Sequence, residues 1–133
     1  MAAKKLNLDN FLPYRLSIAS NALSSRIAAE YQNRFGLKIP EWRLMAVLGE
    51  GKPLTQRELV AATRMDKVTV NRAAKALADR HLIARQAHEA DGRSHHLELT
   101  ETGRSLYDAI VPAALASEAQ LESTISGRER ATL

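Results

Sequence analysis

Two short segments carry most of the side chains that could do chemistry, and both are rich in basic or amide groups. In the first, MDKVTVNRAAKAL, the apolar residues recur at helical spacing. Asparagine can pair with the edge of adenine and arginine with guanine, an apolar group can contact a thymine methyl, and lysine suits phosphates. With Val70, Ala74 and Leu77 facing inward, the segment predicts a helix whose outer face reads double-stranded DNA. The alternative is that this face is an ordinary polar surface in contact with water. The predicted contact residues are Lys67, Val68, Thr69, Asn71, Arg72 and Lys75.

The second segment, HEADGRSHHLELTETG, has the pattern of a β-hairpin. Asp91-Gly92 is a tight-turn signal, because glycine accepts the positive φ that such turns require. Leu97 and Leu99 then share one face of the second strand. The turn would push Arg93 into solvent, where an arginine either has no role or reaches a negatively charged partner.

The histidines offer an alternative, a metal site, because all four lie between residues 81 and 96. Adjacent residues on a strand point to opposite faces, so His95 and His96 cannot easily bind one ion. Polar residues near phosphates are the favoured interpretation, and we expect neither a metal nor a cofactor. The candidate ligands are His88, Glu89, Asp91, His95 and His96.

Enzyme chemistry has little support in the sequence. It contains no nucleophile elbow, phosphate-binding loop or zinc-protease motif. The absence of cysteine removes thiolate nucleophiles, thiolate zinc sites and thiol redox sensors. We therefore expect that the protein is not an enzyme.

The residues around the DNA-reading segment predict the scaffold that positions it. The quartet TQRE, which begins at Thr55, is a capping box that starts a helix at about 56–62. Three residues later Asp66 caps the next helix, which reaches about Arg80. Two short helices across a tight turn form a helix-turn-helix unit.

A period of two replaces the helical period after Leu82 and predicts strands near 83–88 and 95–99. A helix-turn-helix followed directly by a hairpin is a winged helix. The helix can enter the major groove of DNA while the hairpin reaches the neighbouring minor groove.

Longer helices are predicted on both sides of this unit. Residues 11–35 form one helix, with Asn10 as its cap and Gly36 at its end. At 1.5 Å per residue it is about 37 Å long, so part of its apolar stripe can pair with another chain. A second helix starts at Pro40 and closes before Gly49. The stripe of the first helix consists of Leu12, Leu16, Ala19, Leu23, Ile27 and Tyr31.

The C-terminal part predicts a fifth helix, capped by Thr100 and bent at Pro112, and then the start of another helix in SGRERATL. The fold class is mainly α with a small β-hairpin. The net charge of +4 comes from the body of the chain, because residues after 104 hold two basic against four acidic side chains. A basic body suits a polyanion partner. The sequence has no apolar run that could span a bilayer and no signal-peptide core, so we expect a cytoplasmic protein without a membrane partner.

These segments resemble the MarR (multiple antibiotic resistance regulator) family of transcription factors over nearly the whole chain. The resemblance is carried by IPEWRLMAVL, LTQRELVAATRMDKVTVNRAAKAL, HLIARQ and DGRSHHLELTETG. The last is similar to the family's Asp-x-Arg wing followed by Leu-x-Leu-Thr-x-x-Gly. The resemblance implies a single winged helix-turn-helix chain over 1–133, with dimerisation helices at about 9–36 and 101–133 and a DNA-binding part at about 40–100.

The function that the resemblance implies is a sequence-specific DNA-binding regulator, a ligand-responsive repressor that binds a pseudo-palindromic operator as a homodimer. The alternatives are a winged helix that contacts proteins without DNA, and a metal-responsive regulator. Arg93 matches the family's minor-groove probe and Asp91 the residue that orients it. Further phosphate contacts are expected from Thr55, Gln56 and Arg64.

A small anionic or aromatic effector is the other partner that the resemblance implies. Its pocket is expected among the first helix, the second helix and the start of the fifth, where arginine suits an aromatic carboxylate. Core packing of Trp42 and Met45 is the alternative interpretation. The expected pocket residues are Tyr14, Arg15, Trp42, Arg43 and Met45.

Three departures from the family pattern carry further expectations. Arg64 and His81 occupy positions where the family usually has glycine. A left-handed backbone at Arg64 would be strained by about 1 kcal/mol, whereas histidine tolerates a positive φ better than most residues. The family's C-terminal helix normally runs beyond Leu133, so we expect either a short chain or a missing tail, and a smaller dimer interface.

Overall fold

The structure of the protein, a computed structural model, describes residues 4–88 and 91–132, without the side chains of residues 87, 88 and 91–94. The chain divides into two compact units, Met1–Ile39 and Pro40–Leu133. The predicted fold class, mainly α with a small β-sheet, is confirmed. The helices are α1 (Leu12–Phe35), α2 (Ile39–Leu48), α3 (Gln56–Thr63), α4 (Lys67–Asp79), α5 (Glu101–Glu122) and α6 (Gly127–Thr132), and the strands are β1 (Leu54–Thr55), β2 (Ile83–His88) and β3 (Asp91–Leu99).

The N-terminal unit is built on α1, and its start differs from the prediction. Asn10 is not the cap of α1, because it ends a separate short 3-10 turn and the N-cap position falls on Phe11, which makes no side-chain capping bond. Asn7 caps that turn, accepting the Asp9 N–H at 3.1 Å. Gly36 ends α1 as predicted, with a left-handed φ of 66°.

The second helix, α2, begins at Ile39, so Pro40 is its second residue rather than its first. It ends before Gly49, as predicted. Glycine is needed there for space, because a Cβ atom would lie 2.2 Å from the ring of Tyr107 on α5. Nη1 of Arg104 also donates to the Gly49 carbonyl at 2.9 Å. The end of α2 is thereby held against the first turns of α5.

The helix-turn-helix follows the predicted boundaries closely. The capping box of α3 is present: the Thr55 hydroxyl accepts the Glu58 N–H at 3.1 Å, and the Thr55 N–H donates to Glu58 Oε1 at 3.1 Å. Asp66 caps α4. Arg64, between the two helices, has a left-handed backbone, with φ 58°.

The sheet has three antiparallel strands in the order β1-β3-β2, where the sequence predicted only the hairpin of β2 and β3. The two-residue strand β1 pairs Leu54 with Leu97 and Thr55 with His96. β3 begins at Asp91 rather than near 95, and its register with β2 shifts between Ala87 and His88. The sheet is thus tied through β1 to the start of α3.

The joint between the sheet and α5 explains the motif Leu-Thr-x-x-Gly. Thr100 caps α5, accepting the Gly103 N–H at 3.0 Å, and its hydroxyl donates to the His81 carbonyl at 2.6 Å. The backbone N–H of Thr100 donates to the Leu82 carbonyl at 3.0 Å. His81 has a left-handed backbone, with φ 59°, which histidine tolerates better than most residues. Pro112 lies inside α5, as predicted.

The core of the second unit gathers apolar side chains from its helices and from the sheet. Because side chains from the sheet and from the helix-turn-helix are buried together, the wing and the two helices belong to one hydrophobic core. The buried members are Leu44, Met45, Leu48, Leu59, Val70, Ala73, Ala74, Leu77, Leu82, Ile83, Leu97 and Ile110.

Candidate nucleic-acid interface

The predicted DNA-reading helix, α4, separates buried from exposed side chains as the sequence pattern indicates. Val70, Ala73, Ala74 and Leu77 are buried, which is the spacing of one helix face. The predicted contact residues lie outside that face: Thr69 is half-buried, and Lys67, Val68, Asn71, Arg72 and Lys75 are exposed. The structure therefore presents the predicted amide and basic groups together on one surface.

The start of α4 is fixed by Asp66 through two bonds to Thr69. Asp66 Oδ1 accepts the Thr69 N–H at 2.8 Å, and Oδ2 accepts the Thr69 hydroxyl at 2.8 Å. These bonds lower the pKa of Asp66, the backbone bond most. Because the Thr69 hydroxyl donates its proton to Asp66, the methyl group and the acceptor capacity of Oγ1 are what it can offer a partner.

The predicted phosphate contacts lie at the start and at the end of α3. Thr55 Oγ1 serves as the helix cap by accepting the Glu58 N–H. The Thr55 N–H donates to the Glu58 carboxylate and, with a smaller contribution from the Thr55 side chain, lowers the pKa of that carboxyl. Gln56 is half-buried at the first helical position, and Arg64 is exposed at the left-handed position that ends the helix. Backbone N–H groups at a helix start favour phosphate.

A hollow of about 390 Å³ lies between α4 and the sheet, and it adds a residue that the sequence analysis missed. Asn71 and Lys75 line it from α4, with Ile83 and Leu97 from the sheet. Arg85 on β2 also lines it, because Arg85 and Ile83 are two residues apart and share one face of the strand. That alternation was visible in the sequence and was the available signal.

The tip of the wing lies outside the described residues. The side chains of Asp91 and Arg93, and all of Glu89, are not part of the description, so the wing roles stay predictions. Nearer the body of the sheet, Gln86 donates from Nε2 to Glu98 across the two strands. Among the described side chains, which do not include His88, Glu89 and Asp91, no cluster of three histidine, aspartate or glutamate residues is suited to a metal.

The residues predicted for an effector pocket have different environments. Met45 is fully buried and Arg43 is exposed, while Tyr14 and Arg15 lie on α1 in the N-terminal unit. Trp42 is stacked on Tyr107, with ring centroids 6.2 Å apart and planes at 26°.

Two residues at this place were missed by the sequence analysis, because they come from a distant part of the chain. Tyr107 carries the Arg104 guanidinium 5.3 Å from its ring centroid, besides stacking on Trp42. Arg104 on α5 and Trp42 on α2 thus both lie close to the ring of Tyr107.

Membrane insertion has no support in the part of the chain that the structure describes. None of its helices combines the length and the apolar character that crossing a bilayer would require.

Comparison with known proteins identifies the family. A family model described as MarR family matches residues 35–94. Over 90 residues the chain is 33% identical to the HTH-type transcriptional repressor NicR of Pseudomonas putida. The match covers 67% of this chain and 57% of NicR, so the chain spans little more than half of that relative's length.

Two solved structures are similar over nearly the whole chain. A MarR/EmrR family transcriptional regulator from Acinetobacter sp. ADP1 is 26% identical, with 96% of this chain and 89% of that one covered and a TM-score of 0.85. A probable transcriptional regulator from Pseudomonas aeruginosa is 30% identical, with 95% and 93% covered and a TM-score of 0.78. The protein therefore belongs to the MarR family of winged helix-turn-helix transcriptional regulators.

Proposed function

We propose that the protein is a DNA-binding transcriptional repressor, not an enzyme, and that α4 enters the major groove of its operator. The observation that carries this proposal is the exposed set of amide and basic side chains on α4, opposite the buried face of Val70 and Leu77. A helix fits the major groove, where asparagine and arginine can distinguish base pairs. The net charge of +4 favours association with DNA.

The exposed side chains of α4 fall into two chemical groups, those that can bind base edges and those that can bind phosphates. Asn71 and Arg72 have the amide and guanidinium groups that can bind base edges, and Val68 can contact a thymine methyl. Lys67 and Lys75 suit phosphates, together with the phosphate contacts predicted at Thr55, Gln56 and Arg64. This division follows from residue type and exposure.

The wing is proposed to reach the minor groove. This part of the proposal rests on the sequence motif of Asp91 and Arg93. Arginine is more weakly hydrated than lysine and enters a narrow, electronegative groove more readily. Asp91 would hold the guanidinium in position.

The regulator is proposed to act as a homodimer. The side chains of Leu12, Leu16 and Leu23, which share one face of α1, are between 39% and 65% exposed. Leu115 and Leu121 on α5 are also exposed, at 59% and 43%. Leaving this much apolar surface in water is unfavourable, and a second copy of the chain related by a twofold axis can cover it.

We expect wild-type protein to select, from random-sequence DNA, an inverted repeat whose half-site centres are about 10 base pairs apart. Leu16→Glu should sediment as a monomer at micromolar concentration and lose affinity for the selected DNA. Asn21→Glu adds the same charge on the opposite face of α1 and should behave as wild type. A stable wild-type monomer with undiminished affinity would contradict the dimer, and failure to enrich any sequence would favour protein contact over DNA binding.

An anionic aromatic acid is the proposed effector. Arg43 is exposed beside Trp42, whose ring is stacked on Tyr107, so a carboxylate and an aromatic ring both have suitable partners there. Tyr14 and Arg15 belong to the same proposal, which the sequence resemblance supports. Full burial of Met45 fits a packing role for that residue.

An aromatic acid that binds should raise the thermal stability of the protein, by about 2.7 kcal/mol at one hundred times its dissociation constant. The measurement is a thermal shift against a panel of aromatic acids, with the matching uncharged amides as controls. Arg43→Gln should reduce the shift for the acid. If no acid stabilises a protein that binds DNA normally, this effector class is wrong.

A further inference from the structure

A second hollow, of about 320 Å³, lies between the two helices of the helix-turn-helix, and we call it the α3–α4 hollow. Its lining residues are Gln56, Arg57, Val60, Lys67 and Asn71. Lys67 and Asn71 are four residues apart on α4, as are Gln56 and Val60 on α3, so each pair faces the hollow from one side of its helix. Gln56 and Asn71 also line the hollow beside the sheet and therefore separate the two.

The chemistry of the α3–α4 hollow is apolar inside and polar at its edges. Val60 is half-buried in it, whereas Arg57, Lys67 and Asn71 are exposed. Lysine and arginine contribute their methylene stems to such a wall while their charged ends stay in water. An unfilled apolar hollow exposes Val60 to water, so covering it with an apolar group is favourable.

The major groove offers one apolar group that could contact Val60. Thymine presents a C5-methyl there, whereas the other bases present only hydrogen-bonding edges. A phosphate is the competing occupant, because Arg57 and Lys67 are cationic. Pressing a phosphate against Val60 would place an anion on an apolar side chain and remove water from it, which is costly. Gln56, Arg57 and Lys67 can instead bond a phosphate that stays at the edge. Its better position is at the exposed charged ends, outside the hollow.

We propose that the α3–α4 hollow receives the C5-methyl of one thymine in each half-site, which makes Val60 a specificity-determining residue outside the recognition helix. This inference rests on the proposed DNA-binding function. Asn71 lines the hollow and can pair with adenine, so the methyl-bearing base lies next to the base that Asn71 reads.

The test uses the full chain and an operator selected from random DNA. Each thymine in turn is replaced by deoxyuridine, which removes only the methyl group, and the dissociation constant is measured at fixed salt. Wild type should lose about fourfold in affinity per half-site at the position that enters the hollow, the factor for one buried methyl or methylene.

Two valine variants identify which side chain meets that methyl. Val60→Ala should bind the thymine and uracil operators equally at this position, because the methyl has lost its contact. Val68→Ala, the matched control on α4, should keep the difference there. Each result is a ratio between two DNAs for one protein, so a change in the folded fraction cancels.

Other outcomes overturn the inference without touching the proposed function. In the first, replacing thymine by uracil lowers the affinity of wild type at no position. In the second, the loss of affinity caused by uracil is the same for Val60→Ala as for wild type at every position, while the operator is still bound specifically. Failure to select any operator would instead remove the DNA-binding proposal itself.

Discussion

Gly103→Ala should lower the free energy of unfolding by about 3 kcal/mol, the upper end of the usual cost of overpacking a well-packed site. A Cβ atom at this position would lie 1.9 Å from the carbonyl oxygen of Leu82 and 2.9 Å from its carbonyl carbon. Both are backbone atoms, so no side-chain rotation can relieve the clash. The measurement is urea unfolding followed by circular dichroism.

The backbone near Leu82 cannot move freely, because several bonds hold it. Its carbonyl accepts the Thr100 N–H at 3.0 Å, and the Thr100 hydroxyl holds the neighbouring His81 carbonyl at 2.6 Å. His81 already has a left-handed backbone, with φ 59°. A shift would break the cap of α5 or move the turn that follows α4, so we also expect Gly103→Ala to weaken DNA binding at temperatures where it stays folded.

Gly127→Ala is the matched control, because a Cβ atom at Gly127 would meet nothing within 4 Å. Its stability should stay within about 0.5 kcal/mol of wild type, as is usual for exposed substitutions. If Gly103→Ala proves as stable as Gly127→Ala, the close approach of Gly103 to Leu82 does not constrain the joint.

Local features of the fold were predictable from sequence. The capping residues Thr55, Asp66 and Thr100 act within three residues of their partners, so their residue types and spacing carry the information. Asn10 failed as a cap because Asn7 starts a separate turn just before α1, and two asparagines three residues apart do not show which one precedes the long helix.

Features that depend on distant residues were not predictable. β1 has only two residues and exists through its pairing with β3, which no local period reveals. The stacking of Trp42 on Tyr107 joins α2 to α5 across more than sixty positions of sequence. For Arg85 the sequence shows that it shares a strand face with Ile83, but not that this face meets α4, because that depends on how the helix packs on the sheet.

The candidate site was more predictable than these contacts because its residues lie on one helix. Once Val70 and Leu77 are assigned to the core, the helical period fixes which residues of α4 remain exposed. Exposure alone does not assign their roles. That Asn71 and Arg72 read bases while Lys67 and Lys75 bind phosphates stays a prediction that binding measurements can test.

Asn71→Ala and Arg72→Ala should each cost about 1–3 kcal/mol on the selected operator and relax the preference at particular base pairs, since each removes a group that can pair with a base edge. Affinity for random DNA should change far less for Asn71→Ala, because an amide carries no charge to attract phosphates. The measurement is titration of labelled operator and random DNA at several salt concentrations.

Lys67→Ala and Lys75→Ala should behave differently, weakening binding to operator and random DNA alike and lowering the slope of log K against log salt by about 0.9 each, the value for one phosphate. Arg128→Ala removes the same charge from an exposed position on α6 and should leave both the slope and the sequence preference unchanged. If only the total charge of the protein mattered, Lys67→Ala, Lys75→Ala and Arg128→Ala would lower the affinity for DNA equally, because each removes one positive charge. Among the four α4 variants, altered base preference should appear at Asn71 and Arg72 but not at Lys67 or Lys75. Equal behaviour of all four variants on both DNAs would mean that these residues bind DNA by charge without reading its sequence.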